Sequence, residues 1–116
     1  MKNFIHRELA SGRWFKLRFC EQMANIGAEI GRAINWRKRK NYEYSIKAVE
    51  RGLELLYLTI EDSKNRKHLR ELTRLRELLI DYFYFDNVYG SSDEFWKKYF
   101  FAFNYAARNN YKEDKK

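Results

Sequence analysis

Proline is absent from this 116-residue chain, and glycine occurs only five times. That scarcity of turn-forming residues disfavours an all-β fold, which needs a reversal about every eight to twelve residues. A single cysteine, Cys20, excludes an internal disulfide framework and makes the cytoplasm the expected compartment. Histidine occurs twice, as His6 and His68, which lie far apart in sequence, so no zinc centre is expected. Long apolar runs are also missing. The uncharged stretch Tyr99 to Ala107 falls far short of the roughly 18 residues that a membrane span requires. Residues 1–20 interleave Lys2, Arg7, Glu8, Arg13, Lys16 and Arg18 with apolar residues, a pattern unlike a secretory signal. There is no glycine-rich phosphate loop.

Apolar residues make up 45% of the chain, enough to argue against disorder although 34% is charged. The length fits one domain, residues 1–116. The formal charge of +8 is unevenly spread. Residues 1–40 carry ten Lys or Arg against three acids, whereas residues 41–83 carry eight of each sign. The densest cluster is Arg37-Lys38-Arg39-Lys40, with a second group at Arg13, Lys16 and Arg18. Clusters of this kind attract phosphates and raise encounter rates with polyanions, although cations also complement the negative pole at a helix C-terminus.

Apolar periodicity predicts four helices, over residues 14–38, 42–61, 66–83 and 92–110. In the first, Phe15, Phe19, Met23, Ile26, Ile30 and Ile34 form one stripe, with Ala24, Gly27, Gly31 and Ala33 beside it. Each mid-helix glycine costs about 1 kcal/mol relative to Ala, so close packing is the expected compensation at Gly27 and Gly31. Asn41 is the expected cap of the second helix, whose stripe is Tyr42, Ile46, Val49, Leu53, Leu56 and Ile60. Leu69, Leu72, Leu75, Leu79 and Tyr82 make the inward face of the third. Ser91 and Glu94 fit a capping box for the fourth, with Phe95, Tyr99, Phe103 and Ala106 as its apolar face, flanked by Trp96, Phe100 and Ala107. Three short connections then imply an all-α, antiparallel up-down-up-down four-helix bundle. Residues 1–13 form an N-terminal extension in which Phe4, Ile5 and Leu9 suit a short helix, and residues 111–116 are a tail expected to fray.

Ala33, Trp36, Tyr42, Ser45, Val49 and Gly52 give the first hairpin a resemblance to a single tetratricopeptide-type repeat, and one unit cannot form the stacked groove that binds peptides. Gly12-Arg13-Trp14-Phe15, Glu29-Ile30-Gly31-Arg32-Ala33, Asp86 through Ser92 and Tyr99-Phe100-Phe101-Ala102-Phe103 together resemble an uncharacterised family of small bacterial helical-bundle proteins. That resemblance implies one bacterial helical domain and carries no activity with it. HEPN-type ribonucleases, which are also helical bundles, need an Arg and a His separated by four to six residues. His68 has Ser63, Asp62 and Glu61 at those positions, so that reading fails.

No constellation of catalytic residues emerges. Cys20 has no His on its helix to activate it, and Ser63, Ser91 and Ser92 sit at helix starts, where capping explains them. Glu50, Glu54, Asp62, Glu77 and Asp81 would make a carboxylate metal centre only if turned inward, and no Glu has a His three residues later as di-metal bundles require. No cofactor is expected.

The remaining anomaly is aromatic content, 18% of the chain. Three explanations stand open: a wide aromatic core, a surface for self-association or a protein partner, and base stacking beside cations. The nucleic-acid candidates are Arg13, Trp14, Lys16, Arg18, Trp36, Arg37, Lys38, Arg39 and Lys40. The interface candidates are Phe85, Tyr89, Phe95, Trp96, Phe100 and Phe101. The expected function is thus that of a non-enzymatic accessory protein acting through a protein or self interface, with RNA or DNA at the basic end and no membrane partner. An enzyme built on Glu50, Glu54, Glu77 or Asp81, and a scaffold subunit whose charge serves solubility alone, are the competing classes.

Overall fold

Gly27 shows how closely the helices approach one another. A Cβ at that position would lie 2.6 Å from the Phe100 Cβ of the last helix. A computed structural model describes residues 11–109, which contain four α-helices and no strand: α1 (Phe19–Lys38), α2 (Tyr42–Glu61), α3 (Leu69–Tyr84) and α4 (Asp93–Asn109). The short helix expected around Phe4 and the tail 111–116 lie outside the described residues. The helices alternate in direction as a four-helix bundle. Arg18 at the start of α1 donates to the Ala107 carbonyl near the end of α4, and Tyr99 of α4 donates to Glu71 near the start of α3.

The core follows the expected stripes of α1 and α3, but the buried face of α2 is turned from its expected stripe: Ser45, Ala48, Leu55, Leu58 and Thr59 are buried, whereas Ile46, Leu53 and Ile60 are only half-buried. Met23, Ile26, Ile30 and Ile34 of α1 are buried against Leu55, Leu56 and Leu58 of α2 and Leu72, Leu75 and Leu79 of α3. Each such side chain contributes about 1.5–3 kcal/mol by leaving water. Small residues bring α1 and α2 together further along. Ala33, Ala48 and Val49 are buried there, and the Ser45 hydroxyl donates to the Ala33 carbonyl at 2.8 Å.

The helix ends differ from expectation in physically legible ways. The first helix starts at Phe19, not Trp14. Gly12, at φ 138°, leads into a 3-10 turn over Arg13–Lys16, and Leu17 and Arg18 are extended. The Glu21 carboxylate then accepts from the Arg18 backbone N–H at 2.9 Å, a bond that holds its pKa below the usual carboxylate value. Residues 63–68 form a second 3-10 turn ahead of α3 because Asp62 and Asn65 engage the neighbouring turn. The cap of α4 is Ser92, whose hydroxyl accepts from the Phe95 N–H, while Ser91 is held by Asn87. Tyr42 and Leu69, expected on inward stripes, are exposed. The buried face of α4 centres on Trp96 and Phe100, one position round from the expected stripe, and leaves Phe95 exposed.

The two α1 glycines therefore part company. Gly27 is required by the crossing of α4, whereas a Cβ at Gly31 would meet nothing within 4 Å. Gly27→Ala is expected to destabilise the bundle by about 1–3 kcal/mol through overpacking. Gly31→Ala is expected to stabilise it by up to about 1 kcal/mol through helix propensity. Urea unfolding of the two variants reads both signs.

Candidate nucleic-acid interface

At its C-terminus α1 runs into the basic cluster. Lys40 sits at φ 62°, and the chain reverses there through two bonds, Lys40 N–H to the Arg37 carbonyl and Asn41 N–H to the Trp36 carbonyl. This is a Schellman closure with a lysine where glycine is preferred, at a cost of about 1 kcal/mol. Asn41 then caps α2 by accepting from the Tyr44 N–H at 3.1 Å. The tight reversal brings Trp36 and Tyr44 edge to face, with ring centroids 5.0 Å apart at 88°. Arg39 lies over the Trp36 ring at 5.5 Å and Lys47 over the Tyr44 ring at 5.6 Å. The result is a row of cation, ring, ring, cation across the end of the hairpin. Lys38 and Lys40 are exposed beside it, and Tyr42 is 60% exposed.

The four residues of the basic cluster are not equivalent. Arg37 is half-buried, with its guanidinium 4.9 Å from the Tyr82 ring and 5.6 Å from the Phe83 ring, where it braces α1 against α3. The second basic group stands apart. Arg13, Lys16 and Arg18 lie at the opposite end of α1, which spans about 30 Å at 1.5 Å per residue. Arg18 is engaged by Glu21 and the Ala107 carbonyl. Trp14, expected among the nucleic-acid contacts, is instead 1% exposed and its indole donates to Thr59 Oγ1 at 3.0 Å, so it presents no ring to a base. The interface candidates divide in the same way. Phe85, Tyr89, Phe95 and Phe101 are exposed, whereas Trp96 and Phe100 are buried core residues.

Trp14 belongs to a buried polar network that the sequence patterning did not reveal. Gln22 donates to the Trp14 carbonyl and to Asp62, and Asn65 donates to Gln22 Oε1 and to the Thr59 carbonyl. Lys64 bonds both Asp62 and the Phe15 carbonyl. These groups satisfy one another internally and offer nothing to a substrate. The only available signal was a Gln placed beside Met23 on the inward arc of α1.

The carboxylates are dispersed. Glu50 and Glu77 are exposed and Glu54 is half-buried. Asp81 is buried, and it accepts the Val88 and Tyr89 N–H groups at 2.9 and 3.1 Å, which makes it the anchor of the loop that follows α3. His68 stacks on Phe19 at 3.9 Å. Among the described residues no three His, Cys, Asp or Glu side chains are grouped to hold a metal ion, and no helix is long and apolar enough to cross a membrane. No family model, curated protein or solved structure matches the chain.

Burial alone would raise the Asp62 pKa, but hydrogen bonds from Lys64 and Gln22 hold it below the ordinary aspartate value. Its contribution to stability is therefore complete above about pH 4 and is lost as the pH falls through the lower folded-state value. Asp62→Asn should lower stability at neutral pH and flatten the acid limb of a stability-versus-pH curve, as measured by urea unfolding between about pH 5 and 2.

Proposed function

We propose that this protein is a non-enzymatic accessory protein that binds single-stranded RNA or DNA at the hairpin end of α1 and α2. The observation that carries this reading is the row Arg39, Trp36, Tyr44, Lys47, in which each ring has a cation against it. A base stacked on either ring finds a positive charge within reach of its phosphate, and Lys38 and Lys40 extend that charge along the strand. Lys40 supports the reading from another direction, since glycine would suit its backbone better and only the charge is gained by keeping lysine there.

A labelled single-stranded oligonucleotide of about ten nucleotides, followed by fluorescence anisotropy, tests the proposal. Trp36→Ala and Tyr44→Ala should each weaken binding by about tenfold or more, the scale of losing one stacked base. Lys40→Gly should raise stability by about 1 kcal/mol while lowering affinity. Lys16→Ala, at the far end of α1, should leave binding unchanged. Affinity that ignores salt concentration, or that survives Trp36→Ala, would overturn the assignment.

A second reading, self-association, is favoured by the loop between α3 and α4. Phe85, Val88 and Tyr89 are 72%, 81% and 52% exposed there although Asp81 fixes the backbone beneath them. Held apolar side chains of this kind mark contact surfaces. Light scattering should report a dimer or larger species that Phe85→Ser with Val88→Ser converts to monomer, and a monomeric parent protein would reject this reading.

A further inference from the structure

Arg74 joins two features of the α3–α4 face that complement each other in shape. Its guanidinium lies 4.6 Å from the centre of the Tyr89 ring, in the loop that holds Phe85 and Val88 out into solvent. The same arginine lines a groove of about 120 Å³ between α3 and α4. Leu75 and Leu78 form one wall of that groove, and Phe95, Trp96 and Tyr99 form the other. The Phe95 and Tyr99 rings run nearly parallel, 6.2 Å apart at 19°. Tyr99 donates to Glu71 at 2.8 Å, which ties the two walls together. A cavity of about 150 Å³ holds a benzene ring, so this open groove takes one aromatic side chain.

We propose that a second copy of this chain fills the groove with its Phe85 ring, in a two-fold dimer that exchanges Phe85 in both directions. This dimer rests on the self-association reading and adds to it the receiving site and the symmetry. A projecting side chain and a receptor on one face are what an isologous contact requires, because each copy then offers the other both halves. The area suffices. The exposed parts of Phe85, Val88, Tyr89 and Phe95 come to roughly 500 Å². A symmetric pair therefore covers about 1,000 Å², where specific interfaces begin. Asp81 and Asn87 hold the loop backbone before any partner arrives, so docking orders little that is not already ordered. Charge also favours a second copy here over a polyanion. The excess cations lie in residues 1–40, whereas residues 41–116, which supply this face, carry fourteen Lys or Arg against thirteen acids.

Sedimentation equilibrium of the full-length protein reads the dimer dissociation constant. Phe95→Ser, at a residue 45% exposed, should keep the helical spectrum yet weaken dimerisation about a thousandfold, because two anchors worth roughly thirtyfold each are lost. Phe85→Ser should do the same from the loop side. An equimolar mixture of the two variants keeps one intact pair, Phe85 of one copy in the groove of the other. It should associate about thirtyfold more tightly than either variant alone. Phe101→Ser, on α4 but outside the groove, should leave the dimer unchanged. A parent protein that stays monomeric overturns the self-association reading and this site with it. A dimer that Phe85→Ser dissolves but Phe95→Ser leaves intact keeps that reading and overturns the groove. A mixture no tighter than its components overturns the exchange.

Discussion

Gln22 joins parts of the molecule that apolar packing alone would leave unregistered. Its amide reaches the Trp14 carbonyl before α1 and the Asp62 carboxylate after α2, and its own oxygen accepts from Asn65 in the turn ahead of α3. Oily surfaces pull helices together without saying how far one slides along another, whereas hydrogen bonds in a dry interior fix both distance and angle. Every group in the network is satisfied, so its worth lies in direction: a misplaced helix end strands several buried polar atoms at once, each costing about 1–3 kcal/mol. The 3-10 turns on either side follow from this. Trp14 and Asn65 have to point inward, and a regular α-helix through residues 13–18 or 63–68 would carry them elsewhere.

With that end of the bundle pinned, α1 becomes the shared wall of two different surfaces. One side meets α2 through Ala33, Ala48 and Gly52, where Ile30 lies 3.1 Å from a Cβ placed at Gly52. The other side meets α4 at Gly27 and opens at Gly31. Its C-terminal turn then supplies cations in three distinct settings. Arg37 is folded onto Tyr82 and Phe83, Arg39 lies on Trp36, and Lys38 is exposed to solvent. Three consecutive basic residues thus serve as a brace, a cation held on a ring and a solvent-facing charge, because the turning backbone aims each side chain about 100° from the last.

The sequence carried the helical architecture because apolar residues recur at three and four positions with little interruption, and Asn41 stands where a cap must. It carried the ends less well. Ser91 and Ser92 are chemically alike, and only the Asn87 bonds decide which of them caps α4. Trp14 beside Arg13 and Lys16 read as an exposed cation–aromatic group, since linear adjacency does not reveal that its indole N–H has a buried hydroxyl to find on Thr59, forty-five residues away. Tyr44 and Lys47 carry no linear signal for the opposite reason: they join Trp36 and Arg39 only after the hairpin folds back. Composition correctly signalled excess aromatics and charge. Assigning each ring to core or surface required the rotation of α4 about its axis, which a one-position difference between Phe95 and Trp96 decides.

Asp81 and Tyr82, neighbours in the chain, tie the segment after α3 at two points, one through the Val88 and Tyr89 amides and the other through Asp93 at the head of α4. The segment between them is therefore a strut with its shape already set. Ordering a loop normally drains much of the gain from any encounter, and here that entropy was surrendered when the chain folded. The same fastening limits the slack backbone that a protease must draw into its cleft, so exposed apolar side chains here ride on a tethered main chain.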